Sequence, residues 1–101
     1  MIKDDILEWL QNWYREKCND DWEHSFGIKI DTIDNPGWFV VIDLNDTRLK
    51  DIIINYQLIE QNKNDWYGYK VENSKYEASG DPTKLKLLLI KFKEIVENHD
   101  N

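Results

Sequence analysis

Asp20, Asp21, Glu23 and His24 crowd around Trp22, and carboxylates beside an imidazole are the groups from which general bases and metal sites are made. Their spacing matches no zinc pattern. Adjacent side chains diverge around a helix or point to opposite faces of a strand, so Glu23 and His24 do not grip one ion without a special turn. Asp43-Leu44-Asn45-Asp46-Thr47 begins like a calcium loop, but Arg48 stands where that loop needs glycine and Ile54 where it needs its bidentate glutamate. Ser25 adjoins His24, and neighbours in sequence are poorly placed to act as nucleophile and base. There is no glycine-rich phosphate loop, no nucleophile elbow and no familiar cysteine–histidine signature. The expectation is therefore no catalytic residue, no cofactor and no metal. Asp20, Asp21, Trp22, Glu23 and His24, with Asp34, Asn35 and Trp38 in the turn that follows, are read instead as candidate contacts for a protein partner, the acids steering and the tryptophans anchoring. Trp22 and Trp38 as core plugs are the competing reading. A small enzyme or a ligand- or metal-binding domain using Asp21, Glu23 and His24 is the functional alternative.

Composition narrows the partner. The formal charge is -7, with 20 acidic against 13 basic residues, which argues against nucleic acid or an anionic membrane and favours a basic protein. Cys18 is the only cysteine, so no intramolecular disulfide forms and a reducing cytoplasm is the simplest home. The opening MIKDDILEWL carries carboxylates where an export signal needs a cationic start and an apolar run, so a soluble, unexported protein is expected. A length of 101 residues fits a single domain with one core, spanning 1–101.

The elements that must position these residues follow from periodicity. Ile2, Ile6, Trp9, Leu10 and Trp13 recur at helical steps, predicting an amphipathic helix from Ile2 to about Cys18, with Asp4 and Asp5 in its first turn and Arg15 and Lys17 in its last. Strands are expected over Gly27–Ile33, which alternates, and Trp38–Leu44, which is apolar on both faces, joined by the Asp34-Asn35-Pro36-Gly37 turn. A third strand is read over Ile52–Glu60, with a helix as its alternative, a fourth around Trp66, Tyr67, Tyr69 and Val71, and a short fifth around Tyr76. Asp81 as N-cap and Pro82 in the first turn then start a helix whose stripe is Leu85, Leu88, Leu89, Phe92, Ile95 and Val96. The fold class is α+β: an antiparallel meander of four or five strands with an N-terminal and a C-terminal helix packed on it.

Trp13-Tyr14, Cys18, Asp21-Trp22-Glu23-His24, Gly27-Ile28 and Asp34-Asn35-Pro36-Gly37-Trp38, with the later Gly80-Asp81-Pro82, together resemble the bacterial immunity protein 53 family. The likeness covers nearly the whole chain and departs around Asn45 to Asn64. It implies a cytoplasmic protein of a polymorphic toxin system that binds and neutralises a cognate toxin domain. It brings no catalytic residue.

Overall fold

A computed structural model describes residues 5–99. Helix α1 spans Ile6–Lys17, and Asp5 is its N-cap rather than a first-turn residue, its carboxylate accepting the Glu8 amide at 3.0 Å. The positions assigned to Ile2 and Asp4 lie outside the described residues. Ile6, Leu10 and Trp13 are buried at steps of four and three, as the periodicity requires, and Arg15 and Lys17 occupy the last turn. A single-turn helix, α2 (Trp22–Ser25), leads into the sheet.

Five strands, β1 (Ile28–Ile33), β2 (Gly37–Asp43), β3 (Ile54–Asn62), β4 (Asp65–Glu72) and β5 (Lys75–Gly80), form one antiparallel sheet in the order β1-β2-β5-β4-β3. The class, the antiparallel sheet and the terminal helices are those the sequence implies. The neighbour order departs from a simple meander at one place: β5 pairs with both β2 and β4, and β3 lies at the far edge. The segment from Leu44 to Ile53 makes that crossing, pinned by the buried side chains of Leu44 and Leu49. Ile54–Asn62 is a strand, not the alternative helix, and starts two residues beyond the expected Ile52. Between β4 and β5, Asn73 and Ser74 have φ of 54° and 60°, the paired left-handed residues that a two-residue hairpin uses to match strand twist.

Alternation along the strands gives the sheet two unlike faces. Val40, Ile42, Val71, Tyr76 and Ala78 share one face and are buried under Ile6, Leu10 and Trp13 of α1 and Leu88, Leu89, Phe92, Ile95 and Val96 of α3 (Leu85–His99). Phe92 is the hub: its ring lies 5.0 Å from Trp13, 5.2 Å from Tyr76 and 5.9 Å from Trp9. Tyr76 donates its hydroxyl to the Leu88 carbonyl at 2.7 Å, which satisfies the one polar atom this ring takes into the core, and burial pushes its phenol far above the usual range.

Helix α3 begins at Leu85, not at Pro82, and Asp81 is not its N-cap. Asp81 is 1 % exposed, and its carboxylate accepts from the Trp66 amide at 2.9 Å, the Thr83 amide at 2.8 Å, the Thr83 hydroxyl at 2.6 Å and the Lys84 ammonium at 2.8 Å. Burial opposes ionisation here, but the Lys84, Thr83 and Trp66 donors outweigh it and hold the carboxyl well below the usual range. Lys84 also reaches Asp65 at 2.7 Å, and its hydrogen bonds to Asp65 and Asp81 raise its pKa. Lys91 sits 5.8 Å from the Tyr69 ring centre and 3.4 Å from Glu94. Lys84, just before α3, and Lys91 within it thus brace the structure.

Removing Asp81 as Asp81→Ala strands the Trp66 amide and one side of Lys84, at an expected cost of about 2–4 kcal/mol. Phe92→Ala is expected to cost about 3–5 kcal/mol through a core cavity, and exposed Lys86→Ala about 0.5 kcal/mol or less, all read from urea midpoints. Because the folded pKa of Asp81 lies below its ordinary 3.8, its contribution is complete above that pH and is lost as the pH falls below it. The gap in melting temperature between the parent and Asp81→Asn should therefore narrow on going from about pH 5 to about pH 2.

Candidate functional site

The bend at residues 19–24 is built by side chains reaching back to the chain's own amides. Asp20 has a φ of 71°, which turns the chain sharply after α1. Asn19 accepts the amides of Asp21 at 3.0 Å and Trp22 at 2.8 Å, so Asn19 supplies the acceptor that Asp21, at the cap position of α2, does not. Glu23 answers from the other side: its two carboxylate oxygens accept the Asn19 and Asp20 amides, both at 2.9 Å. Bonds from its own amide, from those of Asn19 and Asp20, and the nearby His24 lower its pKa despite partial desolvation. The group with the best claim to act as a base is thus held ionised and occupied by backbone.

Trp22 is 2 % exposed, its indole Nε1–H donating to the Asn45 carbonyl at 2.8 Å and its ring packed edge-on against Trp13 and Tyr14. It joins the core and ties the β2–β3 crossing to α2. Asp20, Asp21 and His24 are exposed around it. Asp34 and Asn35 are exposed in the β1–β2 turn, where the Asn35–Pro36 peptide is cis, while Trp38 is half-buried and donates its Nε1–H to the Pro82 carbonyl at 2.9 Å.

The two motifs are not brought together. The α2 bend enters β1 at Gly27, whose amide bonds the Asp43 carboxylate at 2.9 Å, so it lies at the Asp43 end of β2; the Asp34 turn lies at the Gly37 end. A strand of this length separates them by roughly 20 Å. Asp20, Asp21, Glu23 and His24 stand at one end of the sheet, and Asp34, Asn35 and Trp38 at the other.

Among the described residues no three His, Cys, Asp or Glu side chains group to hold a metal ion. Two open grooves, of about 340 and 290 Å³, have mainly apolar linings: Leu10, Gln11, Tyr14, Gly27 and Ile28 in one, and Asp5, Ile6, Leu7, Leu85, Lys86 and Leu89 in the other. Neither contains Glu23 or His24. The exposed side chains of Phe39, Tyr56 and Leu58 lie on the sheet face turned away from the helices and were not singled out by the sequence reading. The available signal was the doubly apolar pattern of Trp38–Leu44.

A model of the family described as Immunity protein 53 matches residues 7–97. No curated protein and no solved structure gives a significant match.

Asn19→Ala removes the acceptor of two amides and is expected to cost about 1 kcal/mol, as a lost cap does. Glu23→Gln should loosen the same bend at neutral pH. Since the Glu23 pKa is depressed from 4.5, its contribution is present above that value and is lost as the pH falls through the lowered one, so parent and Glu23→Gln should converge in acid. Chemical denaturation followed by the fluorescence of the five tryptophans, buried Trp22 among them, checks both.

Proposed function

The chain belongs to the immunity protein 53 family, and we propose that it protects its producer by binding a cognate toxin domain and blocking it, with no chemistry of its own. The observation that carries this reading is the family match over residues 7–97 of a 101-residue chain. The commitment of Glu23 to backbone amides, and the absence of Glu23 and His24 from either groove, favour a binder over the enzyme or ligand-site alternative.

The target is a basic domain such as a nuclease. A cleft that draws phosphate draws carboxylates, and a chain of net charge -7 meets it with favourable steering. Asp20, Asp21, His24, Asp34 and Asn35, exposed at the two ends of the sheet, with half-buried Glu23 and Trp38 behind them, are contact candidates at the rim, and Trp22 acts as their scaffold. The partner is protein rather than nucleic acid or membrane, and the place of action is the producer's cytoplasm. No helix among the described residues is long and apolar enough to cross a membrane.

Co-expression tests the proposal. Cells making the cognate toxin domain should grow when the parent chain is present, and purified chain should abolish the toxin's activity at about one-to-one stoichiometry. Charge reversal at Asp21 and Asp34 should slow association and flatten its salt dependence while circular dichroism stays that of the parent. A toxin unaffected by equimolar chain overturns the proposal.

A further inference from the structure

One face of the sheet carries the helices, and among the described residues the side chains on the other face have no helix packed over them. A wet antiparallel face ordinarily shows polar residues. Here the register places Phe39, Ser79, Gly68 and Leu58 directly across from one another on successive strands β2, β5, β4 and β3. Phe39 is 36 %, Tyr56 55 % and Leu58 52 % exposed, so three of the large exposed apolar side chains of the described residues gather on this face.

Their arrangement is not flat. The Tyr56 ring lies over Gly68, so that a Cβ at position 68 would collide with the far end of the tyrosine. Between Phe39 and Tyr56 the small residues Gly68 and Ser79 make a low floor, leaving a notch of about 70 Å³ bordered by Lys70 and Glu77. That volume is far below the roughly 300–1,000 Å³ of small-molecule sites and suits the end of one side chain. Lys70 stands directly across from Glu77 and feels its charge, but its ammonium bonds Glu72, with Nζ to Oε2 at 2.9 Å, so the Glu77 carboxylate borders the notch beside two aromatic rings without a direct bond to that lysine.

The geometry points to this notch as the central docking point for a basic protein, receiving an arginine side chain between Phe39 and Tyr56 with its guanidinium on Glu77. An arginine stem fits apolar walls, its planar head stacks on aromatic rings, and its fork pairs with a carboxylate. Charge selects the occupant: a second copy brings -7 against -7, whereas a basic surface is attracted. The inference rests on the toxin-binding reading for the partner's identity, with the acidic loops at the sheet ends forming the rim.

Gly68→Ala is the most telling variant, because the obstacle it meets is the far end of an exposed tyrosine; the Tyr56 ring must swing aside, which should spare the fold while displacing one wall of the notch. With the cognate toxin domain, Gly68→Ala, Tyr56→Ala and Glu77→Gln should each weaken binding by about tenfold or more, and Lys86→Glu on α3 should leave it unchanged. If the parent protects and all three folded variants protect and bind equally well, the docking inference is overturned and the neutralising function stands. A parent that fails to protect removes the function instead, and a toxin-free arm then decides the notch. In amide NMR titrations a hexa-arginine peptide should shift residues around Phe39, Gly68 and Glu77 more strongly than a hexa-lysine peptide does, and Glu77→Gln should abolish the difference. Equal shifts from both peptides, shifts confined to the Asp20–Glu23 bend, or no shifts at all overturn it.

Discussion

A carboxylate withdrawn from water costs several kcal/mol unless donors replace the lost solvent, and Asp81 is such a carboxylate. Its donors come from the start of β4 and from Thr83 and Lys84 in the turn that links β5 to α3, so satisfying one side chain fixes that turn against β4. Trp38 ties β2 to the same turn by donating to the Pro82 carbonyl. The fit there is close: a Cβ on Gly37 would overlap the Gly80 carbonyl, and one on Gly80 would lie 2.8 Å from the Lys84 Cβ. Half of the Asn-Pro-Gly-Trp motif is therefore architecture. Gly37 and Trp38 secure the entry to α3, which leaves Asp34 and Asn35 as the exposed part of that turn.

What was legible in the sequence was what depends on neighbours in sequence. The stripes of α1 and α3, the hairpin turn at Asp34–Gly37 and the α+β class all follow from local period and turn chemistry. The start of α3 was misplaced because Asp-Pro marks an N-cap and an Asx turn alike. Telling them apart requires the Trp66 amide, fifteen residues away in the chain. The order of strands was equally hidden, since no local pattern states that β5 lies between β2 and β4. The same holds for the acidic bend. Glu23 beside His24 looks like chemistry on paper, and only the positive φ of Asp20 reveals that the glutamate faces backbone amides. For Trp38–Leu44, an apolar run reads as buried on both sides, whereas Phe39 belongs to an uncovered face.

These placements separate two duties that sit together in the sequence. Trp22 and Glu23 hold the crossing and the bend, so the exposed charges beside them, Asp20 and Asp21, ride on a stiff base. Charges so placed act over distance: they speed encounter in dilute salt and are screened within about 10 Å at 0.1 M ionic strength. They do not by themselves make a long-lived complex.

Long residence needs desolvated, shaped contact, and a standard interface buries about 800 Å² on each partner. The two loops, at opposite ends of a strand, each offer a few polar side chains. The uncovered sheet face extends between the strand ends and carries Phe39, Tyr56 and Leu58 on strands whose backbone is hydrogen-bonded on the inside of the sheet by β5 and β4. An apolar centre flanked by exposed acidic ends has the distribution the proposed binding would use, with anchors in the middle and steering at the rim. Such a centre also carries a hazard, because β3 is an edge nine residues long with Glu60 as its only charge. Register shifts on either side of residues 57–60 interrupt that edge, and the -7 charge of each chain opposes its approach to another copy. On the proposed reading, the charge that draws a basic partner thus also guards the face that would receive it.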